Sequence, residues 1–315
     1  MTTTTTLSYK DSTFAAMHEE QAEYHNRRHK SCHPATGTRP HRLHALTEDL
    51  RPLHTLADND YIRAFLQIIT AHFHCWRRGV QHRELTPMHL TYIRTEDGSI
   101  QGMLHDWDVP VDGASQERFL ATVPSPSFVP YMAVDLLTSE ALKGGVPVLY
   151  RHDLEAFIWV LIWTVCCFDN GTMVRAAPDG MSDWDVHKPS LCGVFKGVFI
   201  WQNKPIVPAS DGRVYGAVLA SELAFYLNVK DTERAVKRKA ARRRWRNSDD
   251  RSTLLPQPTR VQEEDDYEHE WSGFWTWVDE LREILPCVAE FAPADDGESG
   301  RVLEDVCMGG MRTAA

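Results

Sequence analysis

The run Ala156 to Phe168, AFIWVLIWTVCCF, holds thirteen residues without a charge, a proline or a glycine. Thirteen residues fall short of the roughly 20 that a membrane-spanning helix needs. A helix that is apolar all round has to be buried on every side, so the chain must build a core large enough to enclose it. Its 315 residues suffice for one or two such domains. Hydrophobic residues at 43% and charged residues at 25% are ordinary globular values, which exclude wholesale disorder, a collagen and a disulfide miniprotein. The net charge of −10 excludes a chain built to coat nucleic acid. Seven cysteines at 32, 75, 166, 167, 192, 287 and 307 show no framework spacing, which suits a reducing compartment. The polar opening MTTTTTLSYKDS has no apolar signal core. The expectation is a soluble intracellular protein, cytoplasmic or nuclear, with no membrane contact.

The chain divides by composition. Residues 1–40 read as a low-complexity tail, with a threonine run followed by a histidine-rich polar stretch. Residues 41–229 carry globular patterning. Residues 230–270 read as an exposed charged insertion, in which Lys230 to Arg246 holds nine basic residues and two acids and Glu263 to Glu270 is acidic. Residues 271–292 return to helical periodicity, and 293–315 form a small polar tail. Within the globular part, apolar residues at 62, 65, 66, 69, 73 and 76 predict a helix from Tyr61 to Arg78. Asp58, Asn59 or Asp60 are its candidate caps and Gly79 its end. LTYIR and SIQGMLH flank Glu96-Asp97-Gly98 as a β-hairpin. DWDVP follows, then a loop with prolines at 124, 126 and 130, then YMAVDLL, then RHDLEAFIWVLIW opening the buried helix.

The order of these segments resembles the C-terminal lobe of a protein kinase, and within that group the fungal-type protein kinase domain family. The matching residues are Arg51-Pro52-Leu53, His82-Arg83-Glu84-Leu85-Thr86, Asp106-Trp107-Asp108, Tyr131-Met132-Ala133-Val134-Asp135-Leu136-Leu137 and His152-Asp153-Leu154-Glu155-Ala156-Phe157. The resemblance implies a mainly α (α+β) fold: a kinase-like C-terminal lobe with a small β-hairpin. Before Gly79 the chain has one glycine, Gly37, and two lysines, Lys10 and Lys30. No glycine-rich phosphate loop or strand lysine is found there, so the N-terminal lobe is expected to be truncated or absent.

The kinase signature assigns roles by position. Glu84 stands where the catalytic Asp would accept the substrate hydroxyl proton. His89 stands where an Asn would bind magnesium, and Asp106 where an Asp would hold the magnesium that bridges the ATP phosphates. Glu84 adds a methylene to a role in which a ~1 Å misplacement costs on the order of 10²-fold. His89 offers imidazole where magnesium wants hard oxygen. His82 packs beneath the loop in this scheme, and Arg83 answers an activation-segment phosphate or a carboxylate such as Asp135 or Asp106. Asp153 holds the loop's backbone or caps its helix. Candidate phosphorylation sites are Ser115, Thr122, Ser125 and Ser127.

Other motifs are read blandly. Asp106 and Asp108 also serve as turn acids. His25, His29, Cys32 and His33 are closely spaced for zinc but lack a second ligand pair, and read as a solvated tail. Lys237 to Arg246 is a nuclear-targeting candidate or a solvated basic helix. Trp271, Trp275 and Trp277 read as core or lobe surface. The expected function is a degenerate kinase or pseudokinase fragment binding a protein partner, with no specific nucleic acid. The alternatives are an atypical Ser/Thr kinase that uses Mg-ATP on a protein substrate, and a non-functional gene fragment. Mg-ATP is the cofactor if the chain is active; otherwise there is none.

Overall fold

The apolar run lies inside helix α2 (Tyr150–Cys167), and all eighteen of its residues are buried. The computed structural model describes residues 50–105, 107, 128–173, 181, 184, 188–247, 266–289 and 291, with backbone alone for 244–247. In it α2 is the axis around which the other elements pack. Helix α1 (Asp58–Arg77) lies beside it and carries a three-stranded antiparallel sheet on its outer side. That sheet is β1 (Arg51–Pro52), β2 (Leu90–Arg94) and β3 (Ile100–Leu104), paired in sequence order with Arg51 opposite Tyr92 and Leu90 opposite Leu104. A second ribbon, β4 (Phe168–Asp169) and β5 (Thr172–Met173), follows α2. Then come α3 (Pro189–Gln202), α4 (Val214–Asn247), α5 (Tyr267–Asp279) and the short α6 (Pro286–Ala289). The architecture is mainly helical with a small sheet, as the sequence predicts.

The β2–β3 hairpin turns where Glu96-Asp97-Gly98 predicts it. Gly98 takes φ +84°, and the Asp97 carboxylate accepts from Thr95 Oγ1 and the Ser99 N–H. These hydrogen bonds hold the Asp97 carboxyl down at about 2. The sheet sits on α1 through Gly102, where a Cβ would collide with the Ala64 carbonyl. The Gly102 N–H there donates to Gln67 Oε1 at 2.8 Å.

Two element ends differ from the sequence reading. Helix α1 starts at Asp58, three residues before Tyr61, and no side chain caps it. Asp58 turns to α4 instead. Its carboxylate accepts from the Tyr215 and Gly216 N–H groups at 2.8 and 2.7 Å, meeting unmatched donors at the positive end of the longest helix. The other end of α1 follows the reading, with Gly79 at φ +80° just past the last turn.

The charged stretch from residue 230 is not a separate element, because α4 runs through 229 and 230 without a break for 34 residues. Its apolar first half packs on α1 and α2, while side chains from 231 to 243 are mostly exposed. Helix α5 begins at Tyr267, four residues before the expected boundary at 271. Its tryptophans are half-buried packing groups. Trp271 stacks on Phe73 at 4.1 Å, Trp275 on Phe291 at 5.4 Å, and Trp277 lies beside Tyr226. The cysteines at 75, 166, 167, 192 and 287 are buried. No helix among the described residues is long and apolar enough to cross a membrane. The tail residues 1–40 and 293–315, His25, His29, Cys32 and His33 with them, lie outside the described residues.

Candidate functional site

The segment between α1 and β2 brings its own backbone at Arg83 to two buried side chains, His72 and Asp153. Arg83 adopts φ +69°, a left-handed conformation uncommon outside glycine. Its N–H donates to Asp153 Oδ2 at 3.4 Å, and the same oxygen meets His72 Nε2 at 2.9 Å. His72 comes from α1 and Asp153 from α2, both buried. A buried carboxylate needs such partners, and these tie the loop to two helices. Asp153 is the fourth residue of α2, so it does not cap that helix; the cap position is Leu149.

His82 is fully buried beneath the loop and donates Nε2–H to the His105 carbonyl at 2.9 Å. Burial pushes its pKa down to about 4, so the ring is neutral at physiological pH. Trp107 lies edge-on to His82, stacks on His72 at 5.7 Å, and donates its indole N–H to the Leu104 carbonyl. Tyr150 and Phe157 of α2 close the ring cluster around His72.

Glu84 is half-buried. Its backbone carbonyl accepts from His89 Nδ1, and the His89 imidazole is buried against His82 and His105. The His89 side chain therefore closes the loop across five residues. The Arg83 guanidinium donates twice to Gln81 Oε1, at 2.8 and 2.6 Å. Asp135, weighed as its ionic partner, pairs with Arg151 at 2.8 Å. Asp106 and Asp108 lie outside the described residues, as do Ser115, Thr122, Ser125 and Ser127.

Beyond the loop, Met132 to Leu137 is clamped from both sides. Glu155 of α2 accepts the Val134 N–H at 2.8 Å and the Trp159 indole N–H at 3.1 Å. Lys196 of α3 is fully buried and donates Nζ to the Met132 carbonyl at 2.6 Å. The ammonium sits 4.6 Å from the centre of the Trp159 ring and 5.7 Å from that of Trp184. Burial pushes Lys196 down to about 8 and Glu155 up, towards its neutral form.

Sequence reasoning singled out Glu84, His89, Arg83, His82, Asp135 and Asp153. The structure gathers the first four and Asp153 at one loop and places Asp135 beside α2. It adds His72, Gln81, Arg151 and Lys196, which sequence reasoning missed. His72 and Lys196 left one trace, a titratable residue inside an otherwise apolar helical stretch. Gln81 and Arg151 left none.

Among the described residues no group of three His, Cys, Asp or Glu side chains is placed to hold a metal ion. A family model described as fungal protein kinase matches residues 2–165, just over half of the chain. The matched span reaches into α2 and leaves α3 to α6 outside it. No curated protein and no solved structure matches the chain.

Proposed function

The chain belongs to the fungal protein kinase family, and from that premise we propose that it works as a pseudokinase, a scaffold for a protein partner. The observation that carries this reading is the engagement of His89. In the kinase signature an Asn at this position binds magnesium. Here a buried imidazole gives its Nδ1 to the Glu84 carbonyl and closes the loop on itself. Magnesium takes oxygen ligands in a tight octahedron, and a ring packed against His82 and His105 does not supply one. The described residues of this loop therefore do not fit a magnesium site. What the loop retains is its frame: the Arg83 N–H on Asp153, with His72 on the same oxygen. Such a frame serves a binding surface as well as a catalytic one.

One observation favours a second reading, an atypical Ser/Thr kinase with Glu84 as the base. Glu84 is only half-buried and follows a residue whose backbone N–H donates to Asp153. Thermal unfolding of the purified chain in millimolar ATP, with and without magnesium, separates the two. A ligand that binds only the folded state at 100 times its dissociation constant adds about 2.7 kcal/mol. The scaffold reading expects no magnesium-dependent shift and no phosphate transfer. A shift accompanied by transfer to protein hydroxyls, lost on Glu84→Ala, would establish the enzyme.

A further inference from the structure

Helix α4 packs on α5 as far as Arg234, which still shares a small recess with Glu270. Beyond it the helix continues to Asn247. Side chains at 235–237, 239, 240, 242 and 243 are exposed, and Arg238 and Ala241 are half-buried. Lys237 to Arg243 holds five cations in seven residues and no acid. The acids just before it are already met: Asp231 by Arg238 at 3.6 Å and Glu233 by Lys230 at 3.4 Å. Lys237, Lys239, Arg242 and Arg243 make no ion pair or hydrogen bond with a described residue.

The charges are not confined to one face. Arg234, Arg238 and Ala241 follow one another at helical spacing and form the inner stripe. At about 100° per residue, Lys239 and Arg243 point away from that stripe, while Lys237 and Arg242 fall on opposite flanks. A flat anionic membrane is met by a helix with a broad apolar face, and the outward face here sets Lys239 and Arg243 beside Val236 and Ala240. Cations on the crest and on both flanks instead match a groove with negative charge on either side. The major groove of B-DNA admits an α-helix and is walled by phosphates on both strands.

We propose that the exposed end of α4 binds the major groove of duplex DNA through its phosphates, with Lys237 and Arg242 on the two walls and Lys239 and Arg243 between them. Phosphate contacts carry no sequence information, so the binding is independent of sequence. The net charge of −10 makes it a local contact and not a coat. It uses no residue of the 82–89 loop and stands whether or not the chain transfers phosphate.

Fluorescence anisotropy of a short labelled DNA duplex of mixed sequence, titrated with the full chain in potassium chloride, tests this. Four phosphate contacts give a slope of log K against log salt of about −3.6, a fall on the order of a hundredfold from about 50 to about 200 mM. Each of Lys237→Gln, Lys239→Gln, Arg242→Gln and Arg243→Gln takes about 0.9 off the slope, and the four together abolish binding. Glutamine keeps the helix propensity of the residues replaced, and circular dichroism confirms the fold. Lys204→Gln, an exposed lysine off the arm, leaves binding unchanged. Undetectable DNA binding at about 50 mM salt overturns the proposal, as does binding that survives the fourfold variant. An A-form RNA duplex has a major groove too deep and narrow for side chains to read, so it binds more weakly. RNA duplex, anionic vesicles or polyglutamate bound as tightly as DNA would also overturn the groove.

Discussion

His82 and Lys196 are buried bases whose environments disfavour charge, and each leaves a mark on stability against pH. His82 is neutral in the fold down to about pH 4, against an ordinary value of 6.5. Unfolded chains bind that proton first, so the stability tied to His82 is full above pH 6.5 and lost as pH falls towards 4. The span corresponds to about 3 kcal/mol. His82→Gln keeps a donor for the His105 carbonyl and removes the titration. Chemical denaturation of both proteins from pH 7 to 4 reads the difference; parallel curves would show that His82 is not the group. Lys196 carries a folded value of about 8 against 10.5. The groups facing it are Glu155 from α2, Cys192 on its own helix and the Met132 carbonyl. Unfolding takes up a proton between those two values, so stability rises with pH from about 8 to 10.5, again by about 3 kcal/mol. The rise is absent in Lys196→Met. A wild-type minus variant difference that stays constant from pH 7.5 to 10 would contradict the assignment.

Among the elements, α4 shows best how a tertiary contact replaces a local one. Its N-terminal donors have Asp58 from α1 as their acceptor, 157 residues away in sequence for Tyr215. Asp58→Ala is expected to cost about 1–2 kcal/mol, the range of a lost N-cap. Asn59→Ala, on a neighbouring candidate cap, costs a few tenths at most. Urea midpoints of the two variants decide this, and equal losses would mean that Asp58 acts locally after all. The hairpin lies at the other extreme. Glu96-Asp97-Gly98 needs a left-handed glycine and a turn carboxylate, and both operate within five residues. For that reason the hairpin was legible in the sequence, and the capping partner of Asp58 was not.

At the scale of the whole molecule, α2 is shared by the long helices. Helices α1 and α4 pack directly on it, α5 reaches it, and α3 meets it through the aromatic contacts of Trp159 with Phe199 and Lys196. The compositional breaks at 229 and 270 fall inside α4 and α5, both of which touch α2. We expect one cooperative transition, with tryptophan fluorescence and far-ultraviolet circular dichroism melting together. Two separated transitions would mean that α4 and α5 fold apart from the α1–α2 core. A cooperative melt also argues against a non-functional fragment.

The buried helix, the α1 periodicity, the hairpin and the mainly helical class follow from the sequence alone. Each rests on residues within a turn or two of one another, where spacing and turn chemistry decide the outcome. The family was legible too, because five short motifs keep their order along the chain. Tertiary structure decided which groups those motifs touch. His89 reads in sequence as a weak metal ligand and in the fold as a clasp on the Glu84 carbonyl. Arg83 lies near Asp135 only as an expectation, whereas Gln81 and Arg151 take up the two ends of that pair. The Asp153–His72 contact spans 81 residues and Lys196–Met132 spans 64. Which buried polar group meets which depends on how helices pack across such distances, and no local spacing encodes it.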